Sequence, residues 1–186
     1  VIMGTDEESG SACVAYYKER KQELPVAGFT PDACFPVIFC EKGCLVFEIG
    51  CELSKETLGR LQKFRGGTAP NVVMEEFEIH MLTEGGSCSM YKKGRSAHAA
   101  APSLGINAGV AAAKELEQVR LAPEIDDMMR FIADYIGDET QGKGLGIDYT
   151  DEETGCVSVN LGILGIREGR AYLTLDIRYP NNADSE

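Results

Sequence analysis

Apolar and polar residues alternate along several short stretches of this chain, a pattern typical of β-strands with one buried face. In the clearest stretch, Phe77, Ile79 and Met81 alternate with Glu78 and His80, so His80 is expected on the surface. The same kind of alternation predicts further strands at residues 44–51, 87–91, 157–166 and 171–179.

Helical spacing of apolar residues indicates two helices between these strands. One covers residues 108–119, which are rich in alanine, and the other begins at Pro123 and ends at Gly137. Strands that flank two long helices favour an α+β layer, in which helices cover one face of an antiparallel sheet. The last predicted strand places Asp176 and Arg178 on the polar side of that sheet.

The first 43 residues follow a different pattern, which we interpret as an α/β fragment. Residues 1–3 are typical of the end of a buried strand, a helix is predicted after them, and a second strand is predicted at residues 35–40. The change of pattern therefore divides the chain into residues 1–43 and residues 44–186.

Charge and composition narrow the classes of partner. The 186 residues carry a formal net charge of −12, with 44% apolar and 26% charged residues, which is ordinary for a globular protein. Nucleic acids and anionic membranes need a basic face, so neither is expected as a partner. The chain has seven cysteines and no C-x-x-C pair, which favours a reduced protein. It shows no signal peptide and no apolar run long enough to span a membrane, so we expect it in the cytoplasm.

Three carboxylates near the N-terminus are the leading candidates for chemistry. Glu7 and Glu8 follow the first predicted strand, and Asp32 precedes the second. Open α/β sheets place their sites at the carboxyl ends of strands. Such a set suits a hydrolytic metal site, in which one carboxylate binds the metal and another accepts a proton from water. A purely structural interpretation stays open, because acidic pairs recur elsewhere in the chain and helix starts favour acidic residues.

Several motifs in the chain resemble those of one peptidase family. They are Gly-Thr-Asp-Glu-Glu-Ser-Gly at 4–10, Gly-Phe-Thr-Pro-Asp-Ala at 28–33, Gly-Arg-Ser-Ala-His-Ala-Ala-Ala-Pro at 94–102 and Asp-Ile-Arg-Tyr-Pro at 176–180. They stand in the family's order and span nearly the whole chain. On these motifs the chain resembles the PepV-type dipeptidases of the M20 metallopeptidase family.

The resemblance implies a dipeptidase with two zinc ions, in which an α+β lid closes over an α/β catalytic domain. Residues 1–43 match a fragment of the catalytic domain, and residues 44–186 match much of the lid, which we expect to be incomplete. Glu7 corresponds to the general base of the family, and Glu8 and Asp32 correspond to zinc ligands.

Within the lid, the resemblance implies that His98 stabilises the oxyanion and that Asn71 and Arg178 hold a small dipeptide substrate. The planar fork of arginine suits a terminal carboxylate. The family's site also needs more histidine and aspartate ligands, whereas His80 and His98 are the only histidines here. We therefore expect the other ligands before residue 1 and after residue 186, and we expect the printed chain by itself to be inactive. The stretch from Asn71 to His98 is also shorter than in the family, so we expect residues to be absent there.

Two other functions stay open at this point. One is deacylation of N-acyl amino acids, which uses the same metals on a different acyl group. The other is a non-catalytic lid or association module, in which the carboxylates are only structural.

Overall fold

The computed structural model describes residue 4, residues 10–29, residue 36 and residues 38–183, and the chain divides into two units, residues 1–39 and 40–186. In the first unit, the described residues contain one helix, α1 (Ala12–Glu19), with no buried side chain. Where they are described, residues 38–40 are irregular, so the strand predicted at residues 35–40 is wrong there. The side chain of Phe39 is 85% exposed, so no sheet buries the end of this apolar run.

The second unit contains strands β1 (Gly43–Glu52), β2 (Leu61–Gly66), β3 (Glu76–Thr83), β4 (Gly86–Lys93), β5 (Thr150–Asp151), β6 (Gly155–Cys156), β7 (Ser158–Arg167) and β8 (Arg170–Tyr179). Six of them form one antiparallel sheet in the order β1-β8-β7-β2-β3-β4. The short strands β5 and β6 form a separate hairpin.

The helices of this unit are α2 (Lys55–Arg60), α3 (Ala108–Leu116) and α4 (Pro123–Phe131), which continues as a π-helical turn, Ile132–Ile136. Asn107 caps α3, because its side chain accepts hydrogen bonds from two backbone N–H groups of the first turn. Pro123 opens α4, as predicted, and Gly137 ends the π-helical turn with a φ of 54°.

One face of the sheet packs against α3 and α4. Phe77, Ile79 and Met81 are fully buried in the same apolar cluster as Ile125 of α4 and Ile132 of the turn after it. Every second residue of β3 faces the helices, and this explains why apolar and polar residues alternate along the strand. The predicted α+β architecture is confirmed for this unit.

The other face of the sheet is more buried than its polar residues suggest. Asp176 in β8 is 1% exposed, whereas a residue on a solvated face would be open to water. Two loop segments cross this face beside β7: the Asn71 segment (residues 67–73) and the His98 segment (residues 94–101). We call this face of β7 and β8, which carries Ser158, Asn160, Asp176 and Arg178, the polar face.

Two further observations concern the described helices and cysteines. None of the described helices combines the length and the apolar character that a membrane span requires. Among the described residues, no disulfide joins Cys40, Cys44, Cys51, Cys88 or Cys156.

Candidate functional site

The structure brings Asn71 and His98 together. The N–H of Ala99 donates to the carbonyl of Asn71 at 2.9 Å, and the N–H of Val73 donates to the carbonyl of Ala97 at 2.8 Å. These two bonds pair the Asn71 segment with the His98 segment as a short antiparallel ladder. Two residues that the sequence singled out separately therefore belong to one surface.

Close packing holds the Asn71 segment against β7. The strand bulges between Leu161 and Ile163, and Gly162 lies at the bulge. A Cβ on Gly162 would lie 2.5 Å from the backbone of Pro70, and a Cβ on Gly67 would lie 1.8 Å from the carbonyl oxygen of Gly162. Both positions exclude any side chain, and Gly67 also has a φ of +75°. Glycine at both positions therefore allows the loop to lie directly on the strand.

The hydrogen bonding of His98 defines which ring nitrogen can donate. Its Nδ1 accepts a hydrogen bond from the backbone N–H of Ala100 at 3.1 Å, and its side chain is exposed. A neutral imidazole has one donor and one acceptor, so an accepting Nδ1 leaves the proton on Nε2. His98 therefore presents an N–H donor to solvent, which is the group that an oxyanion requires.

Arg178 lies on the same polar face, close to the His98 segment. It is directly opposite Ser158 in the β7–β8 register, and the Ser158 hydroxyl donates to the carbonyl of Ala99 at 3.0 Å. Its Nε and Nη2 donate to the two carboxylate oxygens of Asp176, at 2.7 and 3.0 Å. These bonds raise the pKa of Arg178 further above its ordinary value. One edge of the guanidinium is thus already occupied by an internal carboxylate.

The thiol of Cys44 lies beside the ion pair of Asp176 and Arg178. Cys44 of β1 lies opposite Arg178, with its Sγ 3.9 Å from an oxygen of Asp176. Burial raises the pKa of the Cys44 thiol first, and the negative charge of Asp176 raises it further. The thiolate form of Cys44 is therefore less populated than that of an ordinary cysteine.

A cleft of about 340 Å³ borders both loop segments. Thr68 and Ser96 of the two segments line one side of the cleft with polar groups. The other side is lined by Glu76 and Glu78 of β3 and Tyr91 of β4. A hydrogen bond to Glu76 is the main reason that the pKa of Tyr91 is raised. The cleft is large enough for part of a small peptide, and its charge is predominantly negative.

The predicted catalytic-domain residues Glu7, Glu8 and Asp32 lie outside the described residues. Within the described part of the chain, no three His, Cys, Asp or Glu side chains cluster so that they could hold a metal ion. His80 lies on the polar side of β3, opposite Lys63 and half-buried, away from the paired loop segments. The described residues therefore form a surface that can contact a substrate but do not form a metal centre.

Ser158 and Asn160 are the residues of this site that the sequence reasoning missed. Both side chains are buried, and both bond to the loop segments. The available signal was two polar residues, two positions apart, in the otherwise apolar run of β7. That spacing places both on one face of the strand.

Comparison with known proteins gives several similar sequences, although no protein-family model matches the chain. It is 32% identical over 215 residues to a Bacillus subtilis protein named "Putative dipeptidase YtjP", a match that includes all of this chain and 46% of that protein. It is 28% identical to a "Putative dipeptidase" of Staphylococcus epidermidis, over 97% of this chain and 45% of that protein. The Bacillus match is longer than the 186 residues of the chain, so that relative has additional residues within the matched region. The chain thus spans about half the length of the curated relatives it matches, and those relatives carry the name of dipeptidases.

Proposed function

We propose that the complete protein is a dipeptidase in which the Asn71 and His98 segments cover the substrate. The pairing of these two segments is the observation that carries the proposal, because it joins a histidine N–H donor to an amide on one surface. The similarity to proteins named as dipeptidases supports the same class of substrate.

The proposed chemistry assigns each residue a separate task. Glu7 accepts a proton from the attacking water and later passes it to the leaving amine. His98 donates its Nε2–H to the oxygen on which negative charge develops. Zinc, held in part by Glu8 and Asp32, would polarise the water and the scissile carbonyl.

Substrate binding is assigned to Asn71 and Arg178. Asp176 occupies the Nε and Nη2 edge of Arg178, which leaves Nη1 and the second Nη2 proton as a second fork. A carboxylate at the end of a dipeptide can bind to this second fork through two parallel hydrogen bonds. The interaction would select substrates with a free carboxyl terminus.

The test is a substrate panel with the complete protein. Zinc content and turnover are measured for free dipeptides, for the same dipeptides with an amidated C-terminus, and for N-acetyl amino acids. Hydrolysis of free dipeptides, with a large loss on amidation, is the expected result. Preference for N-acetyl amino acids would favour deacylation instead, and no hydrolysis of any substrate would favour a non-catalytic module.

A further inference from the structure

Asn160 binds the Asn71 segment on both sides of Asn71. Its Nδ2 donates to the carbonyl of Pro70 at 2.7 Å and to the carbonyl of Val72 at 3.0 Å. The side chain is 1% exposed, and its Oδ1 has no partner among the described residues. The amide thus contributes its two donors, and both are directed to the peptide groups that flank Asn71.

Ser158 binds the His98 segment in a similar way. It is 5% exposed, and its hydroxyl donates to the carbonyl of Ala99, the residue that follows His98. Ser158 and Asn160 are two positions apart on one face of β7, so a single strand bonds to both segments. That strand lies inside the sheet, between β8 and β2, and it pairs with β8 along its length and with β2 at Leu164.

The same pair of strands carries Arg178, the third candidate site residue of this unit. Ser158 lies opposite Arg178, and Asn160 lies opposite Asp176, which holds the Arg178 guanidinium. One short stretch of β7 and β8 therefore sets the relative positions of Asn71, His98 and Arg178. Catalysis is sensitive to such positions, since small displacements of catalytic groups lower rates strongly.

We propose that Ser158 and Asn160 are positioning residues, which hold His98 and Asn71 at fixed places over the substrate. The proposal rests on the dipeptidase function proposed above. Neither side chain is assigned any contact with substrate. Ser158 acts through the His98 segment, and Asn160 acts through the Asn71 segment.

The experiment uses Ser158→Ala and Asn160→Ala in the complete protein, each alone and combined with the residue it positions. Ser158→Ala should lower kcat by between about tenfold and about 100-fold in a wild-type background. It should change kcat less than about twofold in a His98→Ala background, because the positioned group is already absent. Asn160→Ala should raise KM in the wild-type background and have little effect in an Asn71→Ala background.

Thr174→Val is the matched control. Thr174 is a buried polar residue of β8 on the same face, and its hydroxyl has no partner among the described residues. The nearly isosteric change removes a buried hydroxyl that makes no hydrogen bond to either loop segment, so kcat and KM should stay within about twofold. Equal fold-changes of Ser158→Ala with and without His98 would overturn the proposal, because a purely structural residue acts additively.

Hydrogen exchange gives a readout that does not depend on activity. Peptides that cover residues 70–73 and 97–101 should exchange faster in Asn160→Ala and Ser158→Ala than in the wild type or Thr174→Val. Unchanged exchange in both variants would overturn the positioning role even if activity fell. Faster exchange in a protein that hydrolyses no dipeptide would support the anchoring and reject only the proposed function. If Asn160→Ala does not fold, Ser158→Ala, which loses a single hydroxyl, decides the result.

Discussion

Arg178 and Asp176 form a two-bond ion pair within one strand, with Nε 2.7 Å from Oδ1 and Nη2 3.0 Å from Oδ2. The carboxylate is 1% exposed, while 23% of the arginine side chain is open to solvent. A buried carboxylate is costly without a partner, so Asp176 holds Arg178 in a defined orientation. The outer edge of the guanidinium is thereby presented at the polar face.

The ion pair predicts two separate losses in Arg178→Ala. The variant leaves Asp176 buried without a cation, so the free energy of unfolding should fall by about 3 kcal/mol. KM for free dipeptides should also rise, while amidated dipeptides should change little. Urea denaturation and steady-state kinetics measure the two effects.

Arg167→Ala is the control for Arg178→Ala. Arg167 pairs with Glu48 on the same sheet, at 2.8 Å, but both side chains are well exposed. Exposed pairs contribute about 0–1 kcal/mol, so this variant should keep nearly normal stability and KM. Equal behaviour of the two arginine variants would contradict the role assigned to Arg178.

His98→Ala tests whether the loop segment takes part in the chemistry. If Nε2–H donates to the oxyanion, its loss should lower kcat by about 10²–10³. Zinc content and melting temperature should stay near the wild-type values, because the side chain is exposed. A folded, metal-loaded variant with kcat within about tenfold of normal would remove His98 from the site. Nitrogen-15 spectra of the imidazole give an independent check, since the Nε2–H tautomer is expected.

The adjacent residues Glu7 and Glu8 should differ in their response to the same substitution. Glu7→Gln should keep the metal content and lose most of kcat, because an amide does not accept a proton. Glu8→Gln should lower the zinc content, because an amide is a weaker ligand than a carboxylate. Equal metal content in the two variants would show that the roles are assigned wrongly.

Gly162→Ala should separate the Asn71 segment from β7. The added methyl group would lie 2.5 Å from the backbone of Pro70, which is closer than real Cβ contacts allow. The loop must shift, so the variant should lose about 1–3 kcal/mol of stability and have a raised KM. Gly59→Ala is a suitable control, since a Cβ there meets nothing within 4 Å. Retention of wild-type KM in Gly162→Ala would contradict the close contact.

Glu124 should contribute a pH-dependent part of the stability. Hydrogen bonds from its own N–H, and then from the N–H of Ser54, lower its pKa from 4.5 to about 2, and Thr57 donates a further bond. A lowered carboxyl pKa stabilises the folded state above pH 4.5, and the contribution disappears as the pH falls toward 2. Glu124→Gln should therefore be less stable than the wild type by about 1 kcal/mol at pH 7. Urea denaturation at a series of pH values should show the two proteins converging toward pH 2, and a constant difference would contradict this origin.

Local sequence determined the elements whose apolar side chains repeat with a clear period. The burial of Phe77, Ile79 and Met81 and the helix that begins at Pro123 follow from such periods, because alternation and helical spacing depend only on near neighbours. The strand β2 was not predicted, although it joins β3 to β7 at the centre of the sheet. Its six residues contain a bulge, and Phe64 is the one large side chain among them that is buried, so its local pattern is weak.

Sequence reasoning also selected Asn71, His98 and Arg178, but their arrangement depended on the tertiary structure. Asp176 was expected on a polar face and is buried, because loops remote in sequence lie across that face. A strand's periodicity reports which side is apolar, and it carries no information about which backbone will cover the other side. The contacts of Ser158 and Asn160 join residues that are far apart in the chain, so only the folded structure decides them.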